Sequence, residues 1–468
     1  MNALLKGRGS EPALWLGGPV LIACAIVGVV VGMSPKYAIE GVLGIAFVIV
    51  VFADLAVGVA IFAALSFLSD ITSGSGALSF DKMLGLLLIA SWAARRSISA
   101  RTDAHTIIGD HPRLFGWIVA FLAWSALSAL WAVSSGITIS YVFVDIQEFL
   151  LIPVVYGAIN SPRDAYVIVT GFLVGGIVTA LYGLLDPSSA ASVAAAGSGA
   201  VYQPGRFSSA AGDANQTAAD LAATLMMAIG LAGMTARSAR VRGLALVAIA
   251  LSFVGIIQTL SRSGLVALAV ALIGAVILGG RWRRQATRLL VVAAVVGVGY
   301  FVLFASSSSL SRVTSSNSDG RNTIWTVAWR MFEANPVLGT GTGNFASAAR
   351  LYLIRPGLTE SGYLIITTPK PAHNVYLEIM ATLGIPGLIL LLAVFVGGIA
   401  VALRAAHIFE RIGDHDLELL TRCTILALLA YLASDFFLPD LQLKQFWLVF
   451  AIGLGTYKLA HMELEAAV

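Results

Sequence analysis

The chain has 468 residues, of which 58% are hydrophobic and only 12% charged, with a formal net charge of +4. Soluble domains carry about 25% charged residues, so this sequence has too little polar surface to coat a water-soluble particle and is expected to be an integral membrane protein. The positive charge comes from arginines between apolar runs and gives no argument for nucleic acid.

In lipid every backbone N–H and C=O must be satisfied within its own segment, so continuous apolar runs of helix length predict α-helices rather than a barrel. Lys6 and Arg8 precede an apolar run over 13–33. That run is longer than a signal-peptide core and shows no convincing small-x-small cleavage site, so it is read as the first span. Further windows are centred near residues 45, 62, 88, 123, 149, 175, 226, 252, 271, 297, 389, 428 and 451. Together they predict an all-α polytopic bundle of about 12–14 transmembrane helices. Cys24 and Cys423 both fall inside apolar windows and offer neither a disulfide framework nor metal-ligand spacing. With the N-terminus inside, alternate short loops collect Arg95, Arg96, Arg101, Arg113, Arg163, Arg237, Arg240, Arg242, Arg281, Arg283, Arg284 and Arg288. The opposite side holds few basic residues, among them Lys36, Lys82, Arg206, Arg262 and Lys444. This is the positive-inside pattern, and it predicts N-in, C-in topology.

Two outer segments exceed simple turns. One is the Ser/Ala/Gly-rich loop 186–215, set within an N-terminal membrane bundle over 1–305. The other is a long loop over 306–372, followed by C-terminal membrane helices over 373–468. Long loops in compact proteins are commonly functional. Inside the second, "GRNTIWTVAWRMFEANP" places Ile324, Trp325, Ala328, Trp329 and Phe332 at the rhythm of an amphipathic helix that closes at Asn335-Pro336. A further short helix is expected around 344–354. "GTGTGNF" has phosphate-loop glycines, but no strand precedes it, so a tight turn is the better reading. "LGIPG" at 383–387 predicts a bend in the span that follows the loop.

Three ionisable side chains gather at the outer boundary: Arg206 before the eighth span, Arg262 in the hairpin "LSRSG", and His373 at the head of the twelfth. Arginine near lipid is costly, and a guanidinium fork suits bidentate phosphate recognition. Each residue also has a bland reading: Arg206 as a loop arginine, Arg262 snorkelling to headgroups, His373 capping a helix. Their shared location is the argument for a site. Asp145, Gln147 and Glu148 are polar residues within a span and form a second group of candidates, with interhelical bonding as the alternative. A transporter or flippase would instead line a midplane path with charge, and no internal repeat of the kind common in transporters is evident.

The motifs "GRFSSAAGDAN", "LSRSG", "GRNTIWTVAWRMFEANPVLGTGTGNF" and "AHNVYLEIMATLGIPGL", in that order among many spans, resemble the O-antigen ligase and polymerase superfamily over about residues 200–395. The resemblance implies a GT-C-like bacterial inner-membrane glycosyltransferase with a periplasmic active site, inverting and metal-independent, with no cofactor. Its donor would be a glycan on undecaprenyl diphosphate, and its acceptor lipid A–core for a ligase or a lipid-linked repeat unit for a polymerase. By the same resemblance Arg206 and Arg262 bind the diphosphate and His373 is the catalytic base. Asn374, Tyr376, Arg321 and Asn215 are expected in supporting positions. "GRFSSAAGDAN" departs from the family pattern after the serines, which leaves the register across Ser208–Asp213 open.

Overall fold

The computed structural model describes residues 35–68, 80–99, 105–185, 207, 213–235, 238–303, 321–353, 370–438 and 441–466. Among these the chain is helical and has no strand, as expected for an all-α polytopic membrane protein. In chain order the helices are α1 (Pro35–Ala53), α2 (Leu55–Ser66), α3 (Phe80–Ser99), α4 (Ile107–Asp110), α5 (Pro112–Leu127), α6 (Ser135–Ala158), α7 (Pro162–Leu185) and α8 (Ala214–Gly233). They continue with α9 (Ala239–Gln258), α10 (Arg262–Leu278), α11 (Arg283–Leu303), α12 (Arg321–Ala334), α13 (Phe345–Ala348), α14 (Val375–Ile412), α15 (His415–Ser434) and α16 (Lys444–Ala466).

Each expected window from residue 45 onward falls on one of these helices, while the first, over 13–33, lies outside the described residues. Among the described residues, six helical segments are long and apolar enough to cross a membrane by themselves: Pro112–Leu130, α6, α7, α9, α14 and α15. The α10–α11 pair passes the same test only as a unit and is bent by 111° at its break. Others fall short for a physical reason visible in α8, which carries Thr217, Asp220 and Thr224, all buried against protein. A helix shielded by its neighbours does not need an apolar surface of its own.

Helix α15 is the centre of the bundle. Its membrane window is 89% buried, against 28% for Pro112–Leu130, which leaves the latter facing lipid. Helices α8 and α10 pack on α15, whereas α16 packs on α14 and α6 on α16. Contacts also sort the two ends of the bundle as the arginine distribution suggests. At one end Arg163 reaches Asp54 at 3.0 Å, Arg95 donates to the Phe52 carbonyl at 2.8 Å, and Thr235 N–H donates to Asp416 at 2.9 Å. At the other, Gln445 donates to the Ser66 carbonyl at 2.9 Å and Tyr376 to that of Leu432 at 2.8 Å.

The long loop does contain the expected helix, but on a different register. The buried stripe of α12 is Ile324, Val327, Ala328 and Met331, which packs on α14. Trp329 turns outward at 48% exposure, stacks on Phe332 and donates to Glu333 at 2.7 Å. Simple apolar rhythm groups Trp329 with the core because it ignores the polar indole edge, which gains from an exposed partner. The turn after α12 is tight, as read from its glycines. It is followed by α13 and a 3-10 turn over Ala349–Tyr352.

The bend in α14 is at Gly384, whose φ of 66° is left-handed inside an otherwise helical run. The break frees the Ile385 N–H to donate to the Pro336 carbonyl at 2.9 Å, tying the long loop to the span. A Cβ at Gly384 would lie 2.2 Å from the Val337 carbonyl oxygen. Gly384→Ala combines left-handed strain with a backbone clash and is expected to destabilise by roughly 2–4 kcal/mol. A lowered Tm in detergent with unchanged helix content by circular dichroism checks it.

Candidate functional site

The site assembles at the end of the bundle where α8, α10, α12 and α14 begin. Three of these starts carry a side-chain cap that the sequence announces. Asp213 accepts from Asn215 N–H at 2.6 Å and from Gln216 N–H at 3.3 Å at the head of α8. Ser261 accepts from Gly264 N–H at 3.2 Å at the head of α10, and Asn374 from Leu377 N–H at 3.0 Å at the head of α14. Each cap takes up first-turn N–H groups, so what these heads still offer an anion is chiefly the positive end of the helix dipole.

His373 sits immediately before the α14 cap with a φ of 50°. Its segment is tied down from several sides. Trp325 of α12 donates to the Ala372 carbonyl at 3.1 Å, Ala372 N–H donates to Glu378 Oε2 at 2.9 Å, and Val375 N–H donates to the Asp435 carbonyl at 2.8 Å. Asn374 and Tyr376 therefore hold backbone: one caps α14 and the other bonds the end of α15. Burial lowers the His373 pKa from its ordinary value; the Asp213 carboxylate opposes this, and the Arg321 and Lys370 cations add to it. The imidazole thus lies within electrostatic reach of the heads of both α8 and α12. Arg321 also lies over the Phe437 ring at 5.8 Å.

Arg262 is the first residue of α10 and half-buried. The preceding Leu260 has a φ of 48°. Ser261 donates to Asn215 Oδ1 at 2.7 Å, so the hairpin carrying Arg262 is clamped to the α8 head beside Asp213. Arg206 lies outside the described residues. Its neighbour Phe207 is buried, and Phe207 N–H donates to the Gln258 carbonyl at 3.2 Å, at the end of α9 just before this hairpin.

Leu260 and His373 are the two non-glycine residues with positive φ among the described residues. Left-handed backbone is strained for any side chain, persists only where surroundings enforce it, and concentrates at functional sites. Both examples fall at this one end, beside residues picked out by charge alone.

Residues 246–392 match a family model described as O-antigen ligase. The matched segment is similar to the O-antigen ligase family. It runs from within α9 through α12 to the middle of α14, and so includes Arg262, Arg321, Glu378 and His373, while Arg206, Asp213 and Asn215 precede it. No curated protein matches the chain. The match and the membrane helices together support a membrane enzyme of the O-antigen ligase and polymerase type.

Sequence reasoning did not single out Asp213 or Glu378. Asp213 was visible only as a cap before an apolar run, and Glu378 only as a first-turn acid that complements the helix dipole. The polar trio of α6 is divided. Asp145 faces a cleft beside α14, and Gln147 and Glu148 face another with Lys82 and Lys444.

Proposed function

We propose that the protein transfers a glycan from undecaprenyl diphosphate to an acceptor hydroxyl at the His373 end of the bundle. The observation that carries this reading is the strained His373 within electrostatic reach of Asp213 and Arg321, in the segment similar to O-antigen ligases that also holds Arg262. His373 takes the proton of the acceptor hydroxyl as general base. The acceptor oxygen forms a bond to the anomeric carbon as the bond from that carbon to the diphosphate oxygen breaks, with inversion. Arg262 and Arg206 bind the departing undecaprenyl diphosphate and stabilise the charge that develops on it. The site then faces the periplasm of a bacterial inner membrane, in a GT-C-like bundle, and the chemistry runs on side chains alone.

Of the two acceptor classes, lipid A–core is favoured by the motif set around Arg262 and His373. A lipid-linked repeat unit is the alternative, and the bond chemistry is the same for both. Incubating purified protein with an undecaprenyl-diphosphate-linked glycan and each acceptor in turn tests the reading. Glycan on lipid A–core identifies a ligase, and a lengthened lipid-linked chain identifies a polymerase. Donor left intact with both acceptors overturns it.

A further inference from the structure

One wall of the α14 head is also the wall of a half-open cleft. Tyr141 and Asp145 of α6, the Thr342–Gly343 turn, Glu378 of α14 and Gln442 ahead of α16 line it. Asp145 is only 6% exposed and accepts from Gln442 Nε2 at 3.0 Å. Tyr141 is 41% exposed, with its ring against Gly343, where an added Cβ would come within 2.5 Å of ring atoms. Val375, Ile379 and Leu441 line it as well, so carboxylate, amide and hydroxyl groups stand beside an aromatic ring and an apolar floor, a mixed lining suited to the hydroxyls and C–H face of a sugar. A carboxylate inside a membrane helix is costly and seldom found without a polar partner or ligand.

The cleft and the base share one anchor, because Glu378 both lines the cleft and accepts from Ala372 N–H, the residue before His373. Arg262 is on the other flank. Its helix α10 packs on α15, while α6 reaches α14 through α16, and His373 stands at the head of α14 between the two.

The geometry points to this cleft as the acceptor-sugar subsite, with Asp145 and Gln442 gripping hydroxyls of an uncharged sugar while His373 meets the hydroxyl to be glycosylated. This rests on the transferase reading proposed above. Carboxylates on two walls repel a phosphorylated or carboxylated sugar, so the cleft selects as well as binds.

Two readouts test it in parallel on the full-length protein. In the transfer assay, with lipid A–core or a lipid-linked repeat unit as acceptor, Asp145→Asn and Gln442→Ala are expected to raise acceptor KM about tenfold or more, with donor KM unchanged. In calorimetry, delipidated core oligosaccharide or free repeat-unit oligosaccharide is expected to bind wild type and to lose that affinity in Asp145→Asn. If Asp145→Asn does not accumulate, Tyr141→Ala, at a half-exposed position, is read instead and is expected to give the same loss. Acceptor KM unchanged in the variants, or a rise in donor KM alone, overturns the subsite and leaves the transferase standing. Asp145-dependent oligosaccharide binding without any transfer sinks the transferase and keeps the subsite. Failure of both oligosaccharides to bind wild type overturns the subsite.

Discussion

Replacing His373 with alanine is expected to reduce glycan transfer by roughly 10²–10⁴-fold, the range for loss of a general base. Alanine also places an ordinary residue at a φ of 50°, so any loss of stability would confuse the result. His373→Asn removes the base while supplying a residue that tolerates left-handed backbone, and it is expected to lose activity with an unchanged Tm. Normal transfer in the asparagine variant at normal expression would exclude the base assignment.

The pH profile gives a sharper test because its sign is fixed by neighbours. A base works when neutral, so activity falls as pH drops through its pKa. Burial holds the His373 pKa below its ordinary value of 6.5, which keeps the imidazole neutral at pH 7 and puts the acid limb below that value. Asp213 pulls the pKa up and Arg321 pushes it down. Asp213→Asn keeps an α8 cap, since asparagine caps as well as aspartate, and is expected to move the acid limb to lower pH. Arg321→Gln is expected to move it to higher pH. Shifts in the same direction, or none, would show that the limb belongs to another group.

Much of this site was legible because its parts are local. Asp213, Ser261 and Asn374 each precede an apolar run with the side chain that a helix start needs, a local signal that reading by charge and apolar windows passed over. The bend at Gly384 followed from a glycine two residues before a proline. The pairing of these heads was not readable. Asp213 and Arg321 come within electrostatic reach of His373 because α8 packs on α15 and α12 on α14, and no short stretch records which helices share a neighbour. The outward turn of Trp329 is the same kind of miss: the side of α12 that is buried is chosen by the shape of α14, not by counting apolar side chains. Asp145, Gln147 and Glu148 show the limit of composition. Neighbours in sequence, they project to different sides of one helix and serve different clefts.

Arg262→Lys is expected to keep the charge and still lose most activity, by about 10²-fold, because an ammonium cannot reproduce the two parallel N–H bonds a guanidinium offers a diphosphate. The position has little slack. Arg262 is the first residue of α10, behind a left-handed Leu260 and a Ser261 clamped to Asn215 at 2.7 Å, so a lysine cannot shift its backbone to compensate. The loss should fall on donor KM and kcat, with acceptor KM unchanged, which is the reverse of the pattern expected for the cleft at Asp145. Arg262→Ala should cost still more, about 10³-fold, as the departing diphosphate loses its counter-charge altogether. A side chain that only snorkels to headgroups makes a different forecast: lysine snorkels as well as arginine, so Arg262→Lys would keep full activity. Steady-state kinetics on the lysine variant, with donor and acceptor varied separately, therefore decides between a diphosphate clamp and a membrane anchor at one position.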